Sequence, residues 1–140
     1  MKPTLFLVRG LPGSGKTTVA KQLRLPMVAA DDYFTTSNGY VFDPSRLSDA
    51  HSWCQVQTKH LLSRGSAVVH NTFTQRWEMQ PYLDMAPGRV VVIDCFDGGL
   101  TDEDLAAANI HGVPVDAIRK MRERYEHDWR SGNPAPPWER

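Results

Sequence analysis

The chain has 140 residues, of which 41% are hydrophobic, and this size and apolar content suit one domain with a single core. Sixteen Lys and Arg residues balance sixteen Asp and Glu residues, so the overall basic field of a nonspecific nucleic-acid coat is excluded. The apolar runs at residues 5–8 and 90–93 are far shorter than the ~20 residues that span a bilayer, and two cysteines form no disulfide framework, so a reduced, cytoplasmic protein is expected.

Strand-like and helix-like segments alternate along the chain. The predicted strands cover residues 4–8, 27–30, 66–70 and 89–95, and the predicted helices cover residues 16–23, 43–65, 74–85 and 101–108 and a last segment from 114. A turn signal at Asn38-Gly39 predicts a loop over residues 33–43. This alternation predicts an α/β fold with a small parallel sheet flanked by helices on both faces.

The proline-rich run after Trp129 has a different composition from the rest of the chain. It predicts a tail without regular structure, either laid on the surface or left mobile. We therefore expect a domain over residues 1–128 and a C-terminal tail over residues 129–140.

Residues 10–17 read Gly-Leu-Pro-Gly-Ser-Gly-Lys-Thr and match the phosphate-binding loop G-x-x-x-x-G-K-[ST] between a predicted strand and a predicted helix. The glycines let successive backbone N–H groups turn toward phosphate oxygens. Lys16 is expected to bridge the β- and γ-phosphates and the Thr17 hydroxyl to coordinate Mg²⁺. The sequence therefore predicts ATP and Mg²⁺ binding, with the nucleotide held by Gly10, Pro12, Gly13, Ser14, Gly15, Lys16, Thr17 and Thr18.

This loop indicates nucleotide binding but does not identify the reaction. The third predicted strand ends at His70, where switch GTPases and motors usually carry an Asp for Mg²⁺, which disfavours those classes. A small kinase needs a carboxylate to take the proton of the acceptor hydroxyl, and Asp31 and Asp32 follow the second strand. Ligands of parallel sheets bind beyond the carboxyl ends of the strands, so Gly10, Asp31, His70 and residues 94–97 are expected to share one cleft. The alternative for either Asp is that it caps the following turn.

Residues 10–18, 31–33 and 109–121 resemble the kinase domain of phage polynucleotide 5′-hydroxyl kinases. Nearly the whole chain resembles the polynucleotide-kinase-like domain found in a ubiquitin-ligase-binding protein of animals and its short relatives; the matching segments are residues 9–18, 31–34, 40–44, 50–53, 71–72, 75–82 and 109–128. The resemblance implies a three-layer P-loop kinase fold. It also implies that Asp31 is the general base, that Lys16 and Thr17 anchor the nucleotide, and that residues 109–124 form a lid over ATP.

The chain departs from these families at two places. His70-Asn71-Thr72-Phe73 stands where relatives carry Asp-Asn-Thr-Asn, and Ala107-Ala108 stands where they carry an arginine pair. Because lid arginines stabilise the charge of the transferring phosphoryl group, Arg119 or Arg122 is expected to replace them as a catalytic residue. Phe73 is expected to stack on a base, with packing in the core as the alternative. The predicted acceptor-side residues are Asp32, Tyr33, His70, Asn71 and Phe73, and Asp32 also joins Thr17 as a predicted metal ligand.

The leading interpretation is an ATP-dependent kinase that phosphorylates a hydroxyl on nucleic acid, with DNA favoured over RNA. The hydroxyl is either the 5′-OH of a polynucleotide or the hydroxymethyl group of 5-hydroxymethyluracil in DNA, since small phage kinases of the second kind belong to the same broad group. Such a phage enzyme would work in the host cytoplasm. One alternative is a kinase of a nucleoside or small metabolite, and another is an ATP-binding module with little turnover, which the Ala107-Ala108 change favours.

Overall fold

The computed structural model describes residues 1–140. The strands are β1 (Leu5–Gly10), β2 (Met27–Val28), β3 (Thr35–Thr36), β4 (Gly39–Tyr40), β5 (Ala67–Asn71) and β6 (Val90–Phe96). The α-helices are α1 (Lys16–Gln22), α2 (Leu47–Leu62), α3 (Arg76–Met85), α4 (Asp102–Ala108) and α5 (Val115–Arg124). Four strands pair in parallel in the order β2-β5-β1-β6, while β3 and β4 form a small antiparallel ribbon inside the segment predicted as a loop.

Helices cover both faces of the parallel sheet. Leu5 and Leu7 of β1 pack in the main core with residues of α2 and α3, whereas Val8 packs with Ala20 of α1 on the opposite face. Both faces of β1 and β5 are therefore buried, which is why these strands read as continuous apolar runs. This layering confirms the predicted three-layer α/β fold. No helix combines the length and the apolar surface that crossing a bilayer requires.

The start of α3 differs from the sequence prediction. Thr74 is expected to cap this helix, but the helix begins at Arg76 and its cap is Gln75. The Glu78 carboxylate accepts hydrogen bonds from the Gln75 N–H (3.2 Å) and the Thr74 hydroxyl (2.5 Å). Gln75 and Glu78 therefore form a capping box, in which the carboxylate three residues inside the helix accepts from the N–H of the cap residue.

The C-terminal tail lies against α3. It contains two short 3₁₀ turns, Trp129–Ser131 and Pro137–Glu139, where the sequence predicts no regular structure. The Trp138 ring meets Trp77 edge-on with 5.3 Å between ring centroids, and Arg76 Nη1 donates to the Arg130 carbonyl at 3.0 Å. The tail is thus laid on the surface, which is one of the two expected outcomes, and the division at residue 128 stays a prediction.

Arg9, near the end of β1, ties together the segments that follow the strands. Its side chain is fully buried. The guanidinium forms an ion pair with Asp94 (3.0 Å) and donates to the carbonyl oxygens of Phe73 (2.8 and 2.9 Å), Glu126 (2.9 Å) and Thr74 (3.2 Å). A buried cation is tolerated when its donors are bound in this way. Arg9 therefore fixes the loop after β5, strand β6 and the segment after α5 at the edge of the sheet where ligands bind.

Candidate active site

The loop between β1 and α1 has the conformation that phosphate binding requires. Gly13 has a φ of +82° and lies so close to α4 that a Cβ atom there would meet the Leu105 carbonyl oxygen at 2.5 Å. Gly15 has a φ of +95° and immediately precedes α1. Glycine is therefore needed at Gly13 for space and at both positions for conformation. The Ser14 Oγ atom is buried without a hydrogen-bond partner, which fits a loop whose polar groups face a bound phosphate.

The other predicted nucleotide-binding residues lie on the same loop or on the first turn of α1; they are Gly10, Pro12, Lys16, Thr17 and Thr18. Thr17 is exposed, so its hydroxyl is free to reach an ion outside the loop. The chain holds no cluster of three or more His, Cys, Asp or Glu side chains able to bind a metal. Mg²⁺ bound with a nucleotide typically takes only one or two protein ligands plus phosphate oxygens, and Thr17 fits that pattern.

Lys16 is held inside the loop. Its Nζ atom donates to the Leu11 carbonyl oxygen at 3.0 Å. Burial lowers the pKa of Lys16 to about 8, although the negative charge of Asp31 acts in the opposite direction. Lys16 and Asp31 also follow the parallel strands β1 and β2, so the expected anchor and the expected base lie at the same edge of the sheet.

The lowered pKa of Lys16 predicts that ATP binding weakens as pH rises. Below about pH 8 the ammonium attracts phosphate oxygens, whereas the neutral amine present at higher pH does not. Bound phosphates favour the charged form, so each pH unit above about 8 is expected to raise the Kd for ATP by up to about tenfold. Calorimetric titrations between about pH 7 and pH 9.5 measure this. Lys16→Gln should bind ATP weakly, with a Kd that does not change with pH in this range. If the Kd of this variant rose equally with pH, the pH dependence would belong to another group.

Asp31 lies in the 3₁₀ turn that follows β2, and its side chain is 47% exposed. Its Oδ1 atom accepts a hydrogen bond from the Tyr40 hydroxyl at 3.1 Å. Burial and the charge of Asp31 raise the pKa of Tyr40 far above its usual value, so the hydroxyl stays protonated and donates. Asp31 is thus oriented by one neighbour and still open to the cleft, as a general base must be. Its catalytic role stays a prediction.

Asp32 is oriented differently from Asp31. Its Oδ2 atom accepts a hydrogen bond from the Ala29 N–H at 2.9 Å and so caps the turn, which is the alternative weighed from the sequence. One carboxylate oxygen is therefore committed to the backbone. Contact of the exposed Asp32 with the metal or the acceptor stays a prediction.

Asn71 and His70 end β5 beside this turn, and both are 8% exposed. The Asn71 Oδ1 atom accepts from the Ala30 N–H at 2.8 Å, and its amide nitrogen faces Cys54 Sγ at 3.8 Å. Both ends of the amide are thus bound within the protein, and its oxygen holds the Ala30 N–H next to Asp31. The predicted acceptor contact of Asn71 stays a prediction. His70 Nε2 is buried without a partner, and burial lowers the pKa of His70, which keeps the ring neutral. Its contact with the acceptor stays a prediction.

The prediction that Phe73 stacks on a base is wrong. Its side chain is 2% exposed, and its ring packs edge-on against Tyr82 with 5.3 Å between centroids. The left-handed backbone at this residue, with a φ of +44°, turns the side chain into the core while its carbonyl oxygen binds Arg9. Tyr33, by contrast, is half-buried between Trp53 and the Arg46 guanidinium, which its hydroxyl contacts, and its predicted acceptor contact stays a prediction.

Arg122 and Arg119 are both paired with carboxylates, and their expected catalytic roles stay predictions. Arg122 donates from Nη1 to Asp97 (2.8 Å), from Nε to Asp102 (2.7 Å) and from Nη2 to the Leu100 carbonyl (3.1 Å). Arg119 is half-exposed and pairs with Asp116 at 3.2 Å, with Asp102 and another carboxylate within about 4 Å. Asp97 precedes Gly98, which lies against the phosphate loop, since a Cβ atom at Gly98 would meet the Ser14 carbonyl oxygen at 2.8 Å. Arg122 therefore joins α5 to the segment after β6.

Because Arg122 is bound to carboxylates, we expect its substitution to lower the stability of the protein rather than the rate of phosphoryl transfer. Arg122→Gln is expected to lower the unfolding free energy by about 1–2 kcal/mol, because two charge-assisted hydrogen bonds in a partly exposed site are lost. Its kcat for phosphoryl transfer should change less than about threefold. The matched variant Arg119→Gln, whose ion pairs are exposed, should cost less than about 0.5 kcal/mol. Urea unfolding and steady-state kinetics test this, and a large fall in kcat at unchanged stability would support the catalytic assignment.

Tyr40 and His111, which the site prediction omits, both lie beside Asp31. His111, in the loop between α4 and α5, places Nε2 3.7 Å from Asp31 Oδ2, and its ring lies on Tyr40 with 4.2 Å between centroids. Both fall within the segments that carry the family resemblance, but neither type of residue completes a recognisable catalytic pattern in the sequence. The contact between them joins the predicted lid to the β3-β4 ribbon.

The amino-acid sequence is similar to those of known proteins. A family model described as an AAA domain matches residues 5–127. NEDD4-binding protein 2 of Homo sapiens is 33% identical over 133 residues, covering 87% of this chain. The match spans only 8% of the length of that human protein.

Solved structures share the fold at lower sequence identity. A chain of the Pnkp1/Rnl/Hen1 RNA repair complex superposes with a TM-score of 0.67 at 20% identity, covering 89% of this chain and 44% of the other. A gluconokinase from Sinorhizobium meliloti superposes with a TM-score of 0.58 at 19% identity, covering 89% of this chain and 75% of the other. The architecture is thus that of a P-loop kinase-like fold.

Proposed function

The chain belongs to the AAA domain family, and from that premise we propose that it is an ATP-dependent kinase that phosphorylates a hydroxyl group of a nucleic acid. The observation that supports the proposal is that Lys16 and Asp31 follow β1 and β2, two parallel strands of one sheet whose carboxyl ends lie at the same edge. A nucleotide-binding module needs only the loop, whereas phosphoryl transfer also needs a carboxylate open to a second substrate.

The proposed reaction uses three groups of this chain. Asp31 takes the proton of the acceptor hydroxyl, and the acceptor oxygen forms a bond to the γ-phosphorus. The bond between that phosphorus and the β–γ bridging oxygen breaks, and ADP leaves with the electron pair. Lys16 stabilises the negative charge on the phosphates, and Thr17 holds Mg²⁺. Mg²⁺, when bound, neutralises charge on the phosphate oxygens.

A polynucleotide 5′-OH is the acceptor that we favour. The extended resemblance to polynucleotide kinases supports a nucleic acid, as does the likeness to a chain of an RNA repair complex. The case for a hydroxymethyl group on a base depended in part on Phe73, whose buried ring is not available for stacking. We therefore propose the terminal hydroxyl, on DNA or RNA, ahead of 5-hydroxymethyluracil in DNA.

A small-metabolite kinase is the second candidate. The likeness to a gluconokinase covers 75% of that chain, more than the 44% covered in the repair-complex chain. The net charge of zero and the pairing of Arg119 and Arg122 with carboxylates also leave few free cations for a polyanion.

An acceptor panel tests the two candidates. Purified protein is incubated with ATP labelled at the γ-phosphate and with 5′-OH DNA, 5′-OH RNA, hydroxymethyluracil DNA, nucleosides or gluconate. We expect labelled product with the 5′-OH strands, and Lys16→Ala is the inactive control. Label on a nucleoside or on gluconate alone would support the second candidate. ATP binding without transfer to any acceptor would support a binding module.

A further inference from the structure

His111 occupies a fixed position over the cleft. The Asn109 side chain holds its loop, because the amide nitrogen donates to the carbonyl oxygens of Leu105, Ala106 and Val113 at 3.0–3.1 Å and Oδ1 accepts from the Val113 N–H at 2.8 Å. The His111 ring also lies on Tyr40 at an interplanar angle of 32°. Contacts on both sides thus fix the imidazole relative to Asp31.

The surroundings of His111 select one tautomer. Nδ1 is buried without a hydrogen-bond partner, so a hydrogen there would be an unsatisfied donor. Nε2 faces Asp31 Oδ2 at 3.7 Å, and a lone pair there would point at a carboxylate. Both facts assign the hydrogen to Nε2. The 3.7 Å separation leaves the Nε2–H without a direct hydrogen bond to Asp31.

We propose that His111 is a further catalytic residue, whose Nε2–H donates a hydrogen bond to the acceptor oxygen while Asp31 takes the proton of that hydroxyl. An oxygen about 2.8 Å from both Nε2 and Asp31 Oδ2 fits across their 3.7 Å separation. One hydroxyl then accepts from His111, donates to Asp31 and directs its other lone pair to the γ-phosphorus. This inference rests on the proposed function and names a residue that orients the acceptor.

The position of His111 also bears on the missing lid arginines. Ala107-Ala108 carry no donor, and the guanidinium groups of Arg119 and Arg122 are bound to carboxylates. His111, in the loop that follows Ala108, supplies a donor on the acceptor side of the transfer. It acts on the attacking oxygen, whereas a lid arginine acts on the transferring phosphoryl group.

Four variants test the proposal in acceptor-saturated kinetics. His111→Ala removes the donor and is expected to lower kcat by about 10²-fold, with the KM for ATP changed less than about threefold. His111→Gln places an amide N–H near the position of Nε2 and should recover at least about tenfold of that loss. His111→Asn is too short to reach and should match His111→Ala. Val56→Ala, at a 62% exposed position on α2 outside the predicted lid, should match the wild type.

The outcomes separate this inference from the proposed function. Wild-type activity in His111→Ala, or an effect on the KM for ATP alone, would overturn the role of His111 while leaving the kinase assignment intact. Equal losses in all three His111 variants together with a lowered Tm would show that the residue is structural. A wild-type protein that binds ATP but transfers phosphate to no hydroxyl would overturn the proposed function, and this inference with it.

Discussion

Lys16→Ala is expected to reduce ATP-dependent phosphoryl transfer by about 10³-fold while leaving the fold intact. The ammonium is the one side-chain cation that the phosphate loop offers to the β- and γ-phosphates, and removing a preorganised donor from a site of developing charge typically costs about 10²–10³ in rate. The only hydrogen bond of its side chain is to the Leu11 carbonyl oxygen in the same loop. The measurement is single-turnover transfer from labelled ATP.

Lys21→Ala is the matched control for this change. Lys21 is an exposed lysine in the last turn of the same helix, so its loss removes the same charge at a distance from the loop. Its transfer rate should equal that of the wild type, and the Tm of both variants should stay close to the wild-type value. Unchanged transfer in Lys16→Ala would remove the assignment of the nucleotide site.

Asp31→Asn is expected to lower kcat by about 10²–10⁴-fold with little effect on ATP affinity. The asparagine oxygen can still accept the hydrogen bond from the Tyr40 hydroxyl, but the amide cannot take a proton from the acceptor. Steady-state kinetics at saturating acceptor separate kcat from KM. The variant should retain its stability, since the hydrogen bond that orients the side chain survives the substitution.

Asp32→Asn is the natural comparison, because its carboxylate is adjacent but caps the turn. An asparagine oxygen still accepts from the Ala29 N–H, so this variant should keep its fold and lose less turnover than Asp31→Asn. If Asp32→Asn were far slower than Asp31→Asn, the two carboxylates would have exchanged roles, with Asp32 as the base.

Features that depend on local sequence could be predicted well. The order of strands and helices follows from short apolar runs and periodic segments, and the phosphate loop follows from fixed glycine spacing between a strand and a helix. Asp31 follows from the topology, because the second strand of a parallel sheet ends at the ligand-binding edge. Each of these predictions needs only neighbouring residues and a general rule about sheets.

Features that depend on distant partners could not be predicted. From the sequence, Arg122 is expected to be a free cation on a helix. Its acceptors Asp97 and Asp102 lie 25 and 20 residues away in the chain, so the ion pairs could not be predicted. For Phe73 the sequence leaves stacking and core packing both open, and the folded chain, with a left-handed backbone at this residue, shows the second. His111 reaches Asp31 across eighty residues of sequence, so the pair becomes visible only in the folded chain.

The network of Arg9 bears on how far this chain can be shortened from its C-terminal end without loss of stability. A truncation before Glu126 would remove one acceptor from a guanidinium that has no access to water, and would leave that donor unsatisfied beside the nucleotide site. The loop after β5 would also be destabilised, because the same guanidinium binds its carbonyl oxygens. A shortened chain that ends before Glu126 is therefore expected to be less stable than one that keeps this residue, although Glu126 is 117 residues from Arg9 in the sequence.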